Sequence, residues 1–257
     1  MEPFFRFENL SQYAECLHGV TMKNAAHPLS FSMALHTGET KETVIANRKT
    51  VERLFEKKQI CHFVLANQTH SDHVHVVKEP ETKGWESLES AVLDCDALVT
   101  NLKGVMLGIL TADCVPVLLY DPVQKAVAVV HAGWKGTKAN IVAKTIQTMQ
   151  CEFGTEPKNM IAGIAPSIGQ CCYEVGEEVA SHFFHLPDVL NAKHNGKYML
   201  DLPLANKMQL MQVGIAEENI EMSGICTACD VEHFFSYRKE GGCSGRFMSL
   251  IGMQLDV

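Results

Sequence analysis

The stretch Val105-Met-Leu-Gly-Ile-Leu-Thr-Ala-Asp-Cys-Val-Pro-Val-Leu-Leu-Tyr-Asp-Pro-Val-Gln-Lys-Ala-Val-Ala-Val-Val-His131 decides the fold class. It holds three short runs rich in Val, Ile and Leu: Val105–Leu110, Val115–Tyr120 and Ala126–Val130. Each has the length and composition of a strand and is bounded by polar or turn residues. Asp121-Pro122 marks a turn between the last two. Beyond the third run, the Gly133 to Gly136 turn predicts a helix capped by Thr137 and running to about Gln150.

Outward from this core the pattern alternates. Glu39–Lys58 reads as an amphipathic helix, with Val44, Ile45, Val51, Leu54 and Phe55 on one stripe and charges on the other face. Phe63–Ala66, Val74–Val77 and Met160–Ile164 predict further strands, and Gly176–Phe184 and Leu204–Val213 predict helices. Strands interleaved with helices predict an α/β or α+β fold, whose strand order is not legible. No repeat, low-complexity tract or linker divides the chain, so one domain over 1–257 is expected.

Composition narrows the function. The 257 residues are ample for a core, and hydrophobic residues at 46% against charged residues at 20% describe an ordinary globular chain. A net charge of −8 argues against a protein that neutralises nucleic-acid phosphates along a broad basic face. No stretch approaches the roughly eighteen apolar residues of a membrane helix. The start Met1-Glu-Pro-Phe-Phe-Arg lacks a signal-peptide pattern, so a cytoplasmic location is expected. In that compartment the ten cysteines are read as thiols rather than a disulfide framework.

Three segments place a metal-binding side chain just outside an apolar run: Asn67-Gln-Thr-His70, Thr111-Ala-Asp-Cys114 and Val130-His131. A hairpin closed at Asp121–Gln124 would pair Tyr120 with Lys125, and therefore Cys114 with His131. Directly opposed positions have Cβ atoms about 4.5–5.5 Å apart, close enough for a thiolate and an imidazole to share one zinc ion. A loop one residue longer would pair Val115 with His131 instead. Spacing alone does not bring His70 to the same place, although it sits at a strand end. Three protein ligands with one open position would make a catalytic rather than a structural site.

Other groupings compete. His73 and His75 share one face of a strand. Cys226-x-x-Cys229 with His233 and Cys243 has a loose zinc-like look, but matches no regular finger or ribbon spacing. Cys171-Cys172 reads as a pair of buried thiols.

Several longer runs carry a resemblance. They are Leu107-Gly-Ile-Leu-Thr-Ala-Asp-Cys-Val-Pro-Val-Leu-Leu, Val130-His-Ala-Gly-Trp-Lys-Gly, Ala165-Pro-Ser-Ile-Gly-Gln-Cys-Cys-Tyr-Glu-Val-Gly and Phe234-Phe-Ser-Tyr-Arg. Together, from roughly Asn47 to Leu250, they resemble the bacterial purine nucleoside phosphorylase family long labelled polyphenol oxidase or laccase-domain protein. The resemblance implies a single α/β domain with β-sheet packed between helices and zinc held by His70, Cys114 and His131. It implies phosphorolysis of adenosine, guanosine, inosine and methylthioadenosine, together with adenosine deamination. Lys135 stands where Arg is usual in that family, and Ser71 where Gly often follows the first ligand. Ser32-Met-Ala-Leu-His36 replaces a Ser-Leu-Asn-Leu-type segment of that family.

Zinc with an open position brings bound water to a pKa of about 7, the chemistry that deamination at C6 of adenine needs. Asp113 is a candidate proton shuttle, although a strand would point it away from Cys114. Phosphate would be met by Arg48, Arg246 or the Lys135 turn at the start of the following helix. Two enzymatic alternatives remain: a cysteine hydrolase or deamidase using Cys114 with His131 as base, and a copper phenol oxidase, for which only His73-x-His75 is present. A non-catalytic protein using the metal for folding is a third. The sequence leaves the oligomeric state open.

Overall fold

The computed structural model describes residues 4–56, 59–242 and 245–255. The central hairpin forms, with Val115–Asp121 and Ala126–Ala132 paired antiparallel. Its register corrects the expected one. Asp121 pairs with Ala126 and Tyr120 with Val127, so His131 stands opposite Pro116, not opposite Cys114. The turn explains the change. Asp121 Oδ1 accepts hydrogen bonds from the N–H groups of Val123 and Gln124 at 2.8 and 3.1 Å. Such an Asx-type closure keeps Asp121 in the ladder, and Lys125, at φ +51°, belongs to the turn and not to the strand. The partner has moved by two positions, so side-chain faces are preserved and Cys114 and His131 still share one side.

The hairpin lies inside a six-stranded sheet ordered Ile220–Met222, Ile161–Ile164, Val115–Asp121, Ala126–Ala132, Ala97–Thr100 and Val74–Val76. A five-stranded sheet is ordered Phe4–Phe5, Cys16–Thr21, Phe247–Met253, Val105–Thr111 and His62–Leu65. A small three-stranded sheet joins Glu174–Val175, Tyr198–Leu200 and Leu190–Ala192.

Side-chain alternation stacks these layers. Leu118, Tyr120, Val127 and Val129 leave one face of the six-stranded sheet and pack with Val64, Leu107 and Ile109 of the five-stranded sheet. From the other face, Val117, Leu119, Ala128 and Val130 meet Ile141, Ile146 and Met149 of the helix Ile141–Phe153 and Leu210 of the helix Leu202–Gln212. Val51 and Phe55 of the helix Lys41–Glu56 cover the outer face of the five-stranded sheet, against Phe63, Leu65, Met106 and Leu250. The result is a mixed α/β domain of two sheets face to face, flanked by helices. The inter-sheet strands are apolar on both faces because both faces are covered.

One helix differs from expectation. It begins at Trp134, runs only to Lys138, breaks at Asn140 (φ +60°) and resumes over Ile141–Phe153. Thr137 is therefore interior, not a cap. Its buried hydroxyl lies 3.4 Å from the Ala132 carbonyl and accepts from Asn206 Nδ2 at 3.1 Å. Among the described residues no helix is long and apolar enough to cross a membrane.

Candidate metal centre and its cavity

Three chain segments meet where the sheets end. His131 closes the Ala126–Ala132 strand with the same alternation as Val127 and Val129, which directs it to the inter-sheet side. Cys114 sits in the bend just before Val115–Asp121. His70 arrives on a loop after His62–Leu65 that is clamped by Gln68, whose amide exchanges two 2.8 Å hydrogen bonds with the backbone of Leu110. One ligand atom from each of His70, Cys114 and His131 lies within 4.8 Å of the others. His70 Nε2 is 3.9 Å from Cys114 Sγ, and the two imidazole rings stand 4.9 Å apart, close to perpendicular at 73°.

The residue that organises this group is Asp96, which the sequence reading passed over. It is fully buried. Its carboxylate accepts from the N–H groups of Thr69, His70 and Ser71 at 3.1, 3.1 and 2.7 Å, and from the Ser71 hydroxyl at 2.8 Å. It also takes Nδ1 of His131 at 2.6 Å. One carboxylate thus fixes the loop that carries one imidazole and the ring of the other. The loop needs that support, since His70 lies at φ +60°, a conformation costing a non-glycine residue about 1–3 kcal/mol. Burial pushes the Asp96 carboxyl up, but the His131 ring and the Ser71 donors outweigh it and hold it at about 2. With Nδ1 engaged by Asp96, Nε2 of His131 is the nitrogen left to act as ligand or base.

Burial also opposes charge on Cys114 and His131. Their mutual attraction wins, holding the thiol down at about 6 and the imidazole up at about 9. Gly133, adjacent to this pair, leaves the space they occupy. A Cβ there would lie 3.1 Å from Cys114 Sγ and 3.2 Å from the His70 ring.

A cavity of about 680 Å³ opens over the group, within the usual range of small-molecule sites. Trp134, Tyr173 and Tyr237 supply aromatic surface, and Arg238, Arg246 and His36 supply polar groups. Asp113 lines it too, but not as a strand residue: it stands in the bend at φ +88°. Both its oxygens are engaged, Oδ1 by the Thr227 hydroxyl at 2.7 Å and Oδ2 by the Arg238 N–H at 2.6 Å. That geometry makes Asp113 an anchor for the segment carrying Tyr237 and Arg238.

Arg48 is a correction. It is 1% exposed, and its guanidinium donates to the carbonyls of Met33, Gly84 and Trp85 at 2.6–3.0 Å. It ties core segments together and does not line the cavity. Lys135 is exposed beside Trp134, its Nζ 5.8 Å from the ring centroid, and does not line the cavity either. Of the phosphate candidates, Arg246 is at the cavity, joined by Arg238, whose Tyr-Arg motif was the available signal. His73 pairs with Asp94, and His233 with Asp230, outside the three-residue group. Cys243 lies outside the described residues.

Comparisons with known proteins agree with this architecture. Residues 18–254 match the family described as "Multi-copper polyphenol oxidoreductase laccase". A Bacillus subtilis protein named purine nucleoside phosphorylase YlmD is 35% identical, over 93% of this chain and 89% of its own. A protein named adenosine deaminase RL5, from an unknown prokaryotic organism, is 40% identical over 71% of this chain and 72% of its own. The crystal structure of YlmD from Geobacillus stearothermophilus superposes with a TM-score of 0.90 at 28% identity, covering 99% of this chain and 100% of that one.

Proposed function

The chain belongs to the multi-copper polyphenol oxidoreductase laccase family, and on that premise we propose that it is a zinc-dependent purine nucleoside phosphorylase with adenosine deaminase activity. The observation that carries the reading is the His70–Cys114–His131 group, braced by Asp96, at the wall of a cavity lined by aromatic rings and two arginines. The names of the relatives supply the reaction class.

The residues fit a metal ion. Two imidazoles and a thiolate suit a borderline-soft cation, Asp96 orients one imidazole from behind, and Gly133 keeps the space between the ligands clear. His70, Cys114 and His131 would hold the ion, and zinc bound there would supply a Lewis acid able to make water nucleophilic near neutral pH. The same two-imidazole, one-thiolate donor set also occurs in copper electron-transfer sites, so metal analysis is part of the test of this reading.

The chain's own residues divide the remaining work. Trp134, Tyr173 and Tyr237 offer faces for a purine ring. Arg238 and Arg246 offer charge-assisted hydrogen bonds to phosphate. In phosphorolysis a phosphate oxygen bonds to the ribose C1′ as the C1′–N9 bond breaks, and the purine leaves with the electron pair and takes up a proton. In deamination the oxygen of water bonds to C6 and ammonia departs. Adenosine, guanosine, inosine and methylthioadenosine are the proposed nucleosides.

Purified protein with its metal quantified, incubated with adenosine with and without phosphate, tests the reading. Adenine and ribose 1-phosphate are expected only with phosphate, and inosine in both cases. Equal adenine release without phosphate would make the enzyme a hydrolase. No turnover of any of the four nucleosides by metal-loaded protein would overturn the proposal.

A second reading has its own support. Asp96, His131 and Cys114 form a chain in which a carboxylate orients an imidazole beside a thiol, the arrangement of a cysteine hydrolase. His70, 3.9 Å from the same sulfur, has no role in it.

A further inference from the structure

A second group of sulfurs stands apart from the cavity. The Sγ atoms of Cys171, Cys172, Cys226 and Cys229 all lie within 4.8 Å of one another, and none of the four residues lines the main cavity. Cys172 and Cys229 are 3.4 Å apart, and Cys171 and Cys229 3.6 Å. All four are free thiols. We infer that these cysteines form a closed tetrathiolate site for one structural zinc ion.

Distance and chemistry carry the inference. Four sulfurs around zinc, with bonds of about 2.3 Å, stand about 3.8 Å from one another. The Cys172–Cys229 and Cys171–Cys229 pairs lie a few tenths of an ångström inside that spacing, and no pair exceeds 4.8 Å. A disulfide needs about 2.0 Å between its sulfurs. A cluster of several irons holds its cysteines further apart, because metal atoms and bridging sulfides stand between them. Four thiolates without a carboxylate select a soft or borderline cation in tetrahedral geometry.

Two turns build the group, each supplying two sulfurs. In the first, the N–H groups of Cys172 and Tyr173 donate to the Gly169 carbonyl at 3.0 and 3.1 Å. In the second, those of Cys229 and Asp230 donate to the Cys226 carbonyl at 3.1 and 2.9 Å. The turns lie side by side, with Thr227 N–H donating to Ser167 at 3.0 Å and Gly169 N–H donating to Cys226 Sγ at 3.2 Å. Gly169 permits that approach, since a Cβ there would lie 3.2 Å from Cys226 Cβ.

The place of the site explains its use. The first turn runs directly into Tyr173, and the second contains Thr227 and leads to Tyr237 and Arg238. Thr227 and Arg238 both grip Asp113, next to Cys114. One ion at the four sulfurs therefore staples together the two segments that make one wall of the cavity, while four protein ligands leave it no open position for catalysis.

The inference is independent of the proposed reaction, and its test does not use activity. Zinc is measured on Cys114→Ala, in which the three-residue centre is disabled. About one zinc ion per chain is expected to remain, and to be lost in Cys114→Ala/Cys229→Ser. Cobalt substituted into Cys114→Ala should give the strong sulfur-to-metal charge-transfer absorption of a tetrathiolate site. Iodoacetamide labelling of native wild-type protein, mapped by peptide mass, covers the case in which the double variant does not fold. Cys171, Cys172, Cys226 and Cys229 should be protected together and exposed together by a chelator. A zinc-free Cys114→Ala protein, or labelling of these four thiols that is equally fast with and without chelator, would overturn the site, as would their recovery as disulfides from freshly prepared protein.

Discussion

Asp96 Oδ1 lies 2.6 Å from Nδ1 of His131, and the same carboxylate accepts the N–H of His70. A single buried side chain therefore orients two of the three proposed metal ligands. Asp96→Asn replaces one acceptor oxygen by a donor facing N–H groups, and removes the charge that holds the His131 tautomer. Metal affinity is expected to fall about 10- to 100-fold, the usual effect of losing such an outer partner. A chelator-competition titration measures it. Unchanged affinity in a folded variant would show that Asp96 serves the loop alone.

Gly133 offers a cleaner test of where the metal sits. Its backbone, φ −66° and ψ 170°, suits any residue, so Gly133→Ala introduces no backbone strain. The new Cβ would stand 3.1 Å from Cys114 Sγ and 3.2 Å from the His70 ring. Thermal unfolding of the metal-free protein should change little, while metal occupancy at this centre and both activities should drop sharply. Full occupancy with normal turnover would remove Gly133 from the site.

The apolar runs made the strands legible, since Val105–Thr111, Val115–Asp121 and Ala126–Ala132 fall within a residue or two of their sequence limits. The hairpin register was not, because it depends on the Asp121 side chain capping its own turn. Asp96 gave no signal for a related reason: its partners lie 25 to 35 residues away, and nothing local marks it. Arg48, on an amphipathic helix, reads as a free cation and a candidate phosphate ligand, until the fold brings the carbonyls of Met33, Gly84 and Trp85 around it. Of the four-cysteine group only Cys226 and Cys229 read as zinc-like, with other partners, because each turn alone offers two sulfurs; Cys171 and Cys172, read as buried thiols, are exposed and half-buried beside them.

The arginines should separate by role. Arg246→Ala or Arg238→Ala removes a charged donor from the cavity wall, and the KM for phosphate is expected to rise about tenfold or more. Phosphate-independent deamination should persist in both. Arg48→Lys should do the reverse. A lysine cannot serve all three carbonyls, so stability should fall by about 1–3 kcal/mol while the KM for phosphate stays unchanged. Denaturant unfolding and steady-state kinetics on the three variants decide the matter, and a phosphate defect confined to Arg48→Lys would reverse the assignment.

Cys114 serves differently in the phosphorylase and cysteine-hydrolase readings, as a metal ligand in one and as the nucleophile in the other. A metal-bound thiolate has its charge neutralised and a lone pair committed, so it should alkylate slowly in the loaded enzyme. Without metal, the sulfur is a thiol held down at about 6 by the charge of His131, hence a thiolate at neutral pH and a fast nucleophile. Chelation should therefore abolish turnover and unmask Cys114 to iodoacetamide together, and added zinc should reverse both. His70 sharpens the comparison. As a ligand, 3.9 Å from the Cys114 sulfur, its replacement by Ala should weaken metal binding and lower turnover. A Cys114–His131 pair oriented by Asp96 would keep working without it. If metal-free protein retains full activity, and alkylation of Cys114 then destroys it, the sulfur is the nucleophile and the zinc reading fails.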